Sequence, residues 1–454
     1  VTAIVLVAAV LAATVLSQGR VRLALAGMVL PGLLVAASFE MPLGVGEAIV
    51  ALTFAVGTGA AWAGVIPAPV AVQFSTAIGS GFSVGIILFV SRLVSRADAA
   101  AAALTFATLF YVLELFGSRS NPFGEWGSLA HSQTRQGWAL AVARHGPHAV
   151  TFVLALVSGS VGYAASNSSL TPLAIAAISA LATVTITVFW HRSSPPEHSA
   201  SQVVGLLEED ERLFAIYAGG FVNGTLDEEE WSAFDEQSTT SLNSLLRQTV
   251  DHASNGSQIV VWGEGAGLVS ADRFKEAVAQ AQTAVRSAPC ILVASWAVLD
   301  RVDGLMSNIT TTITGDGEIA SSISKQHPVP GPEVERTRSV ESQRAVVDTE
   351  LGRLGVAICF DADHHTTWKQ FADDRIDIVA IPASDWPVIG HLHADMARLR
   401  SRSIGTSIIR PARGGVSKII DSHGRVTAQV DHRHANNPPL RENEGNSTRS
   451  KRRS

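Results

Sequence analysis

Charged residues are scarce up to about Trp190 and plentiful after it, and that asymmetry limits what the chain can fold into more than any single motif does. Apolar stretches at 1–17, 22–39, 47–66, 69–91, 99–117, 147–166 and 170–190 approach or reach the ~20 residues a helix needs to cross roughly 30 Å of hydrocarbon. They predict a transmembrane domain of about seven helices over 1–190. The first stretch has no basic leader and others follow it, so it reads as a span and not as a removed signal. The whole-chain values of 16% charged residues and mean hydropathy +0.24 therefore average two unlike halves.

Short-loop basic residues mark the cytoplasmic side of such a domain. Arg92 and Arg96 favour one orientation, whereas Arg20, Arg22, Arg119, Arg135 and Arg144 favour the opposite. The count leans toward a cytoplasmic second half. Between the fifth and sixth stretches, SRSNPFGEWGSLAHSQTRQGW is too polar to cross lipid. Its Trp126 and Trp138 suit an interfacial belt. The alternative is that the loop shapes access to an active site.

Residues 191–211 read as a linker, since Pro195 and Pro196 forbid a continuing helix and the composition turns polar. From 212 to 432 the pattern becomes α/β. Amphipathic stretches at 228–252 and 271–287 precede the apolar runs SQIVVW and PCILVASW, VAICFD and IDIVAIPAS read as further buried strands, and GVSKIIDSHGRVTAQV reads as a hairpin turning at His423 and Gly424. Alternation of this kind makes a layered domain. The polar, Pro-interrupted tail over 433–454 is expected to be disordered, with a basic end. A net charge of −6 without a long basic stripe gives no reason to expect nucleic acid.

Two cysteines, Cys290 and Cys359, with no CxxC or HExxH, make neither a disulfide framework nor a metal knuckle, and no cofactor or metal is expected. Cys290 reads as a small core hydrophobe. Three reactive residues stand at the ends or edges of short apolar runs: Glu264 in IVVWGEGAG, Lys325 in SISKQHPVPGPE and Cys359 in LGVAICFD. Alone, Glu264 could be a helix cap and Lys325 a solvated lysine. Together they are what covalent acyl chemistry needs. A thiol attacks a carbonyl carbon, a carboxylate takes and returns protons, and an ammonium holds the developing oxyanion.

With these words, WGE, KQHPVPGPE and GVAICFD, the chain resembles the nitrilase superfamily of carbon-nitrogen hydrolases, and within it the membrane-bound apolipoprotein N-acyltransferases. SDW at 384–386 and HLHADMARLRS followed by SIIRPARGGVSKIIDSHGRV extend the likeness. The resemblance implies an αββα sandwich over 212–432, with Glu264 as general base, Lys325 as oxyanion stabiliser and Cys359 as nucleophile. Glu333, Phe360, Asp361 and Trp386 would line the substrate side or a lid, the backbone N–H of Phe360 serving as second oxyanion donor. A neighbouring ammonium would also favour the Cys359 thiolate. Several positions depart from the family pattern: Gly263 replaces a proline, Phe360 and Asp361 replace an aromatic–glutamate pair, Pro332 crowds the lid carboxylate, Ser403 replaces a glutamate, and Arg413 and Gly414 replace an asparagine pair.

The implied activity is acyl transfer from a membrane phospholipid, through a Cys359 thioester, to the terminal amine of a lipoprotein. It would take place at a bacterial inner membrane, the catalytic half facing outward. Two other functions fit the residues: hydrolysis of a small amide or nitrile by the same triad, and non-catalytic lipid binding by a degenerate relative.

Overall fold

The structure is a computed structural model that describes residues 1–193, 203–206, 213, 226–338, 346–432 and 440–441. The chain divides into two compact units, Val1–Ser194 and Pro195–Ser454. Most of the linker expected over 191–211 and of the tail expected over 433–454 lies outside the described residues. Within that tail, Leu440–Arg441 forms a short strand.

The first unit is helical: α1 (Thr2–Ser17), α2 (Ala24–Phe39), α3 (Val45–Trp62), α4 (Val70–Ser95), α5 (Ala99–Ser120), a 3₁₀ turn (Leu129–Gln133), α6 (Gly137–Ala143), α7 (Pro147–Asn167) and α8 (Thr171–Ser193). Five of these, α3, α4, α5, α7 and α8, are long and apolar enough to cross a membrane. Their outward faces carry large apolar side chains such as Phe74, Phe82, Leu104 and Leu181, which suits lipid as solvent. At 16 residues each, α1 and α2 reach about 24 Å, short of a full crossing.

Small residues let these helices touch. A Cβ on Gly162 of α7 would lie 2.7 Å from the Gly32 carbonyl of α2, the close approach that glycine permits between membrane helices. Arg92 is neutralised at one end of the bundle, donating to Glu47 at 2.8 Å and to the Ser38 and Met41 carbonyls at 2.6 and 2.7 Å. Trp126, expected at an interface with lipid headgroups, is instead buried. The loop after α5 folds back over the end of the bundle and stacks Trp126 on Trp62, centroids 5.8 Å apart.

The second unit is built on two sheets. The first runs β15–β1–β2–β4–β5–β6, from Leu440–Arg441 (β15), Val203–Leu206 (β1), Ile259–Trp262 (β2), Ile291–Leu299 (β4), Met306–Ile313 (β5) and Ile319–Ser324 (β6), with Gly267–Ser270 (β3) also on β4. The second runs β14–β13–β11–β9–β8–β7, from Val426–Asp431 (β14), Val416–Ile420 (β13), Ser407–Arg410 (β11), Ile378–Ala380 (β9), Gly352–Val356 (β8) and Val346–Thr349 (β7). Each sheet has three neighbouring parallel strands, β1–β2–β4 and β8–β9–β11, flanked by antiparallel ones. A parallel pair, Ala383–Ser384 (β10) and Ala412–Arg413 (β12), stands apart.

Side-chain alternation along the strands sets the layering. On β2, Val260 and Trp262 face α9 (Glu228–Ser254) and α10 (Phe274–Ser287), packing on Leu242, Leu245, Ala281 and Val285. The other face of the same strand, Ile259 and Val261, packs on Val356, Ala380, Ile409 and Ile419 of the second sheet. That sheet turns its outer face, including Val379 and Ile408, to Trp368, Phe371 and Ala397 of α12 (His365–Asp373) and α13 (Gly390–Ile404). The order is helices, sheet, sheet, helices: an αββα sandwich, following the helical unit in sequence. A short helix, α11 (Pro332–Arg336), lies in the loop after β6.

Candidate active site

Parallel strands present their carboxyl ends together, and polar residues just past those ends share a crevice. Glu264 follows β2, Cys359 follows β8 and Asp385 follows β10, while Lys325 closes the antiparallel strand β6. Backbone bonds fix where two of these residues stand. The Glu264 amide donates to the Ala383 carbonyl at 3.2 Å and the Cys359 amide to the Pro382 carbonyl at 2.8 Å.

Lys325 is the hub. Its ammonium donates to Glu264 at 2.8 Å and to Glu333 at 2.6 Å, and it is 3% exposed, so its charge meets carboxylates and not water. Glu264 also accepts from Asn308 Nδ2 at 2.8 Å and from the Cys359 thiol. Cys359 is buried at 4% exposure, its Sγ 3.7 Å from the Ser384 carbonyl oxygen. It sits at φ +48°, a left-handed conformation that an L side chain takes only when its surroundings impose it. Carboxylate, ammonium and thiol thus share one buried cluster.

Opposing effects set their charges. Burial pushes the Glu264 carboxyl up, but the Lys325 ammonium and the hydrogen bonds from Lys325, Asn308 and Cys359 outweigh it and hold it below the usual range. Burial pulls Lys325 down, and the charges of Glu264, Glu333 and Cys359 carry it well above the ordinary lysine value. Glu333 goes the other way from Glu264: burial and then the Glu264 charge raise it against the pull of Lys325. The two carboxyls beside one ammonium are therefore pushed apart. Cys359 is held well above the ordinary thiol value by burial and by Glu264, with Lys325 acting in the opposite direction. Lys325 favours the thiolate as expected, but it is outweighed, because the carboxylate that would take the proton also repels the anion left behind.

The remaining expected residues are placed as follows. Glu333, at the start of α11, also accepts from the Val329 amide at 2.7 Å. Asp361 accepts from the Gln326 and His327 amides at 3.0 and 2.7 Å, tying the Lys325 loop to the Cys359 turn. The Phe360 ring is buried edge-on to His364, centroids 5.0 Å apart. Trp386 is half-buried next to Asp385.

A second array next to the thiol was not anticipated from sequence. Arg410 donates to both oxygens of Asp385 at 2.8 and 3.1 Å, Asp385 meets His393 Nδ1 at 2.8 Å, and His393 Nε2 lies 2.7 Å from Asp363. Burial opposes ionisation in Asp385, but Arg410 and His393 lower it to about 2. Burial likewise pulls His393 down, and Asp363 and Asp385 lift it to about 9. Ligand atoms of Cys359, Asp385 and His393 lie within 4.8 Å of one another. Asp385 and His393 are already committed to ion pairs, so a metal there would have to displace Arg410 or Asp363.

Residues 231–436 match the carbon-nitrogen hydrolase family. The C-terminal part of this chain is a carbon-nitrogen hydrolase domain. The chain is 23% identical over 163 residues to the chloroplastic omega-amidase of Arabidopsis thaliana, which covers 32% of this chain and 44% of the relative. It therefore spans less than half the length of that curated relative. Among solved structures, an amidase of the nitrilase superfamily from Nesterenkonia is 14% identical at a TM-score of 0.44, covering 57% of this chain and 95% of that one. A carbon-nitrogen hydrolase from Helicobacter pylori G27 is 16% identical at a TM-score of 0.41, covering 54% and 89%.

Proposed function

We propose that the protein is a membrane acyltransferase that moves an acyl chain from a phospholipid, through a thioester on Cys359, to the N-terminal amine of a lipoprotein. The observation that carries acyl chemistry is the buried Lys325 ammonium bonded to Glu264 and Glu333 next to the Cys359 thiol. Five membrane-length helices in the same chain favour donor and acceptor that are both confined to lipid.

In the first step Glu264 takes the thiol proton as Sγ attacks the ester carbonyl carbon. Lys325, with the Phe360 amide as second donor, stabilises the oxyanion. Collapse breaks the ester C–O bond, and the lysophospholipid alkoxide leaves with the proton held by Glu264. In the second step the acceptor amine attacks the thioester carbonyl, Glu264 takes the amine proton, the C–S bond breaks and the thiol is restored. Bacterial inner membrane, with this domain outside, is the location that fits such substrates. A reporter fused after residue 432 tests it, and a cytoplasmic signal would remove lipoprotein acylation as the role.

The omega-amidase relative favours a second reading, in which water replaces the amine and the substrate is a small amide. One experiment separates them. Full-length protein in phospholipid nanodiscs is given a labelled phospholipid, then a diacylated lipopeptide or water alone, and the Cys359 peptide and the products are weighed. An acyl adduct on Cys359, chased into N-acyl lipopeptide and absent in Cys359→Ala, is expected. An adduct formed only from amides, or transfer by Cys359→Ala at the wild-type rate, would overturn the proposal.

A further inference from the structure

The helical unit holds a cavity of about 450 Å³, within the size range of small-molecule sites. It lies at one end of the bundle, among the carboxyl ends of α1, α3 and α5, the first half of α4, the start of α7 and the loop over 121–128. Three titratable side chains meet there. His148 Nδ1 is 3.3 Å from Glu114, and its Nε2 is 3.5 Å from Glu125. Glu125 and His148 are 3% and 4% exposed. With both carboxylates ionised, the cluster is net negative even when the imidazole carries two protons. None of the residues lining the cavity is a lysine or arginine.

An independent feature points to a missing partner. Thr58 lines the cavity at 6% exposure, and its hydroxyl makes no hydrogen bond, although a helical threonine can usually reach a backbone carbonyl one turn back. The stacked indoles of Trp62 and Trp126 add electron-rich faces near the carboxylates. Away from the charged end the wall becomes apolar, with Phe54, Val84, Ile87 and Phe110. It is also unfilled: nothing lies within 4 Å of a Cβ built on Gly79 or Gly117.

We propose that this cavity binds an alkylammonium, its cationic head against Glu114, Glu125 and the Trp62–Trp126 pair and its chain along the apolar wall. A negative cluster in a membrane-type bundle favours a cation, and the indoles and the apolar slot favour an organic cation over a bare metal ion. A phosphate beside the amine would face carboxylates with no lysine or arginine to receive it. The ligand is therefore a phosphate-free lipophilic amine and not an ethanolamine phospholipid.

The test uses the full chain in phosphatidylglycerol nanodiscs, titrated with 12-bromododecylamine, whose bromine quenches indole fluorescence, and with the matching alcohol and alkyl sulfate. Saturable quenching by the amine is expected at a concentration at least tenfold below that of either control. Glu125→Gln should raise that concentration at least tenfold. Gly117→Leu, whose Cβ would meet nothing within 4 Å, should abolish saturation while leaving thermal unfolding unchanged. Equal quenching by amine and alcohol, or wild-type binding by Gly117→Leu, would overturn the site. Tenfold competition when the nanodisc lipid is changed to phosphatidylethanolamine would overturn the exclusion of phosphate.

Discussion

Replacing Lys325 with methionine keeps most of the side-chain volume and removes the one charge that the carboxylates of Glu264 and Glu333 share. With the ammonium gone, Glu264, 7% exposed, either stays ionised in a dry site or takes up a proton. The cheaper course sets the penalty. Protonating a carboxyl of ordinary value 4.5 at pH 7 costs about 3 kcal/mol, at about 1.36 kcal/mol per unit. The same step at pH 5 costs less than about 1 kcal/mol. Glu333 adds less, because its carboxyl is already raised in the intact site. Lys325→Met should therefore lose about 3 kcal/mol of stability at pH 7 and recover most of it by pH 5. Urea unfolding of the full chain in detergent, followed through the buried indoles Trp262 and Trp296, measures both values. An equal loss at the two pH values would refute the electrostatic account and leave a packing defect in its place.

Removing the Glu264 charge should release the Cys359 thiol toward the thiolate. Glu264→Gln should raise iodoacetamide labelling of Cys359 at pH 7 by about tenfold, with Cys290, pushed up to about 12 by burial, as the unreactive internal control; unchanged labelling would deny that the Glu264 charge raises the thiol. The Asp385–His393 pair should shape stability against pH. Asp385, lowered to about 2, contributes above its unfolded value and loses that contribution as pH falls toward 2. His393, raised to about 9, contributes fully below its unfolded value near 6.5 and loses it as pH rises through 9. Stability should peak at about pH 4–6.5 and fall by pH 9, and the alkaline fall should be absent in His393→Gln. Gly415→Ala would put a Cβ 2.3 Å from an Asp385 carboxylate oxygen, so a loss of about 1–3 kcal/mol is expected in the same urea assay.

How far the sequence is legible depends on whether the pattern or the packing specifies an element. IVVW and ILVASWAVL read as buried strands because continuous apolar runs suit a sheet covered on both faces. MSNITTTI and IASSIS do not, since threonine and serine carry no apolar alternation, yet they form β5 and β6 and deliver Asn308 and Lys325 to the site. Lys325 was found through its local word, whereas Asn308 had none. Asp385, His393 and Arg410 lie on three separate elements, and only the fold joins them. Their words, SDW, HLHADMARLRS and SIIRPARGG, belong to the family resemblance, which assigns none of the three a role. Trp126 was misplaced because a polar loop says nothing of which way it folds; here it turns back on Trp62.

The charge state of the thiol follows from where the ions already are. Below Cys359, Asp363, His393, Asp385 and Arg410 balance to zero when the imidazole is protonated. Beside it, the Lys325 ammonium is already matched by the Glu264 carboxylate, so it leaves no spare positive charge where sulfur would ionise. A resting thiolate would add a further buried anion, and the thiol is raised accordingly. Moving the proton from Sγ to Glu264 adds none: one anion disappears from oxygen as one appears on sulfur, and Lys325 stays next to both. Attack on an acyl carbon is therefore coupled to proton transfer and does not wait for thiolate formation. The acylation rate should then stay flat through the pH range where an ordinary thiol titrates, near 8.5, and fall only toward the acid side as Glu264 is protonated. Pre-steady-state thioester formation measured from pH 5 to pH 10 decides the matter, and a rate that climbs tenfold per unit through pH 8–9 would mean that the thiolate forms first.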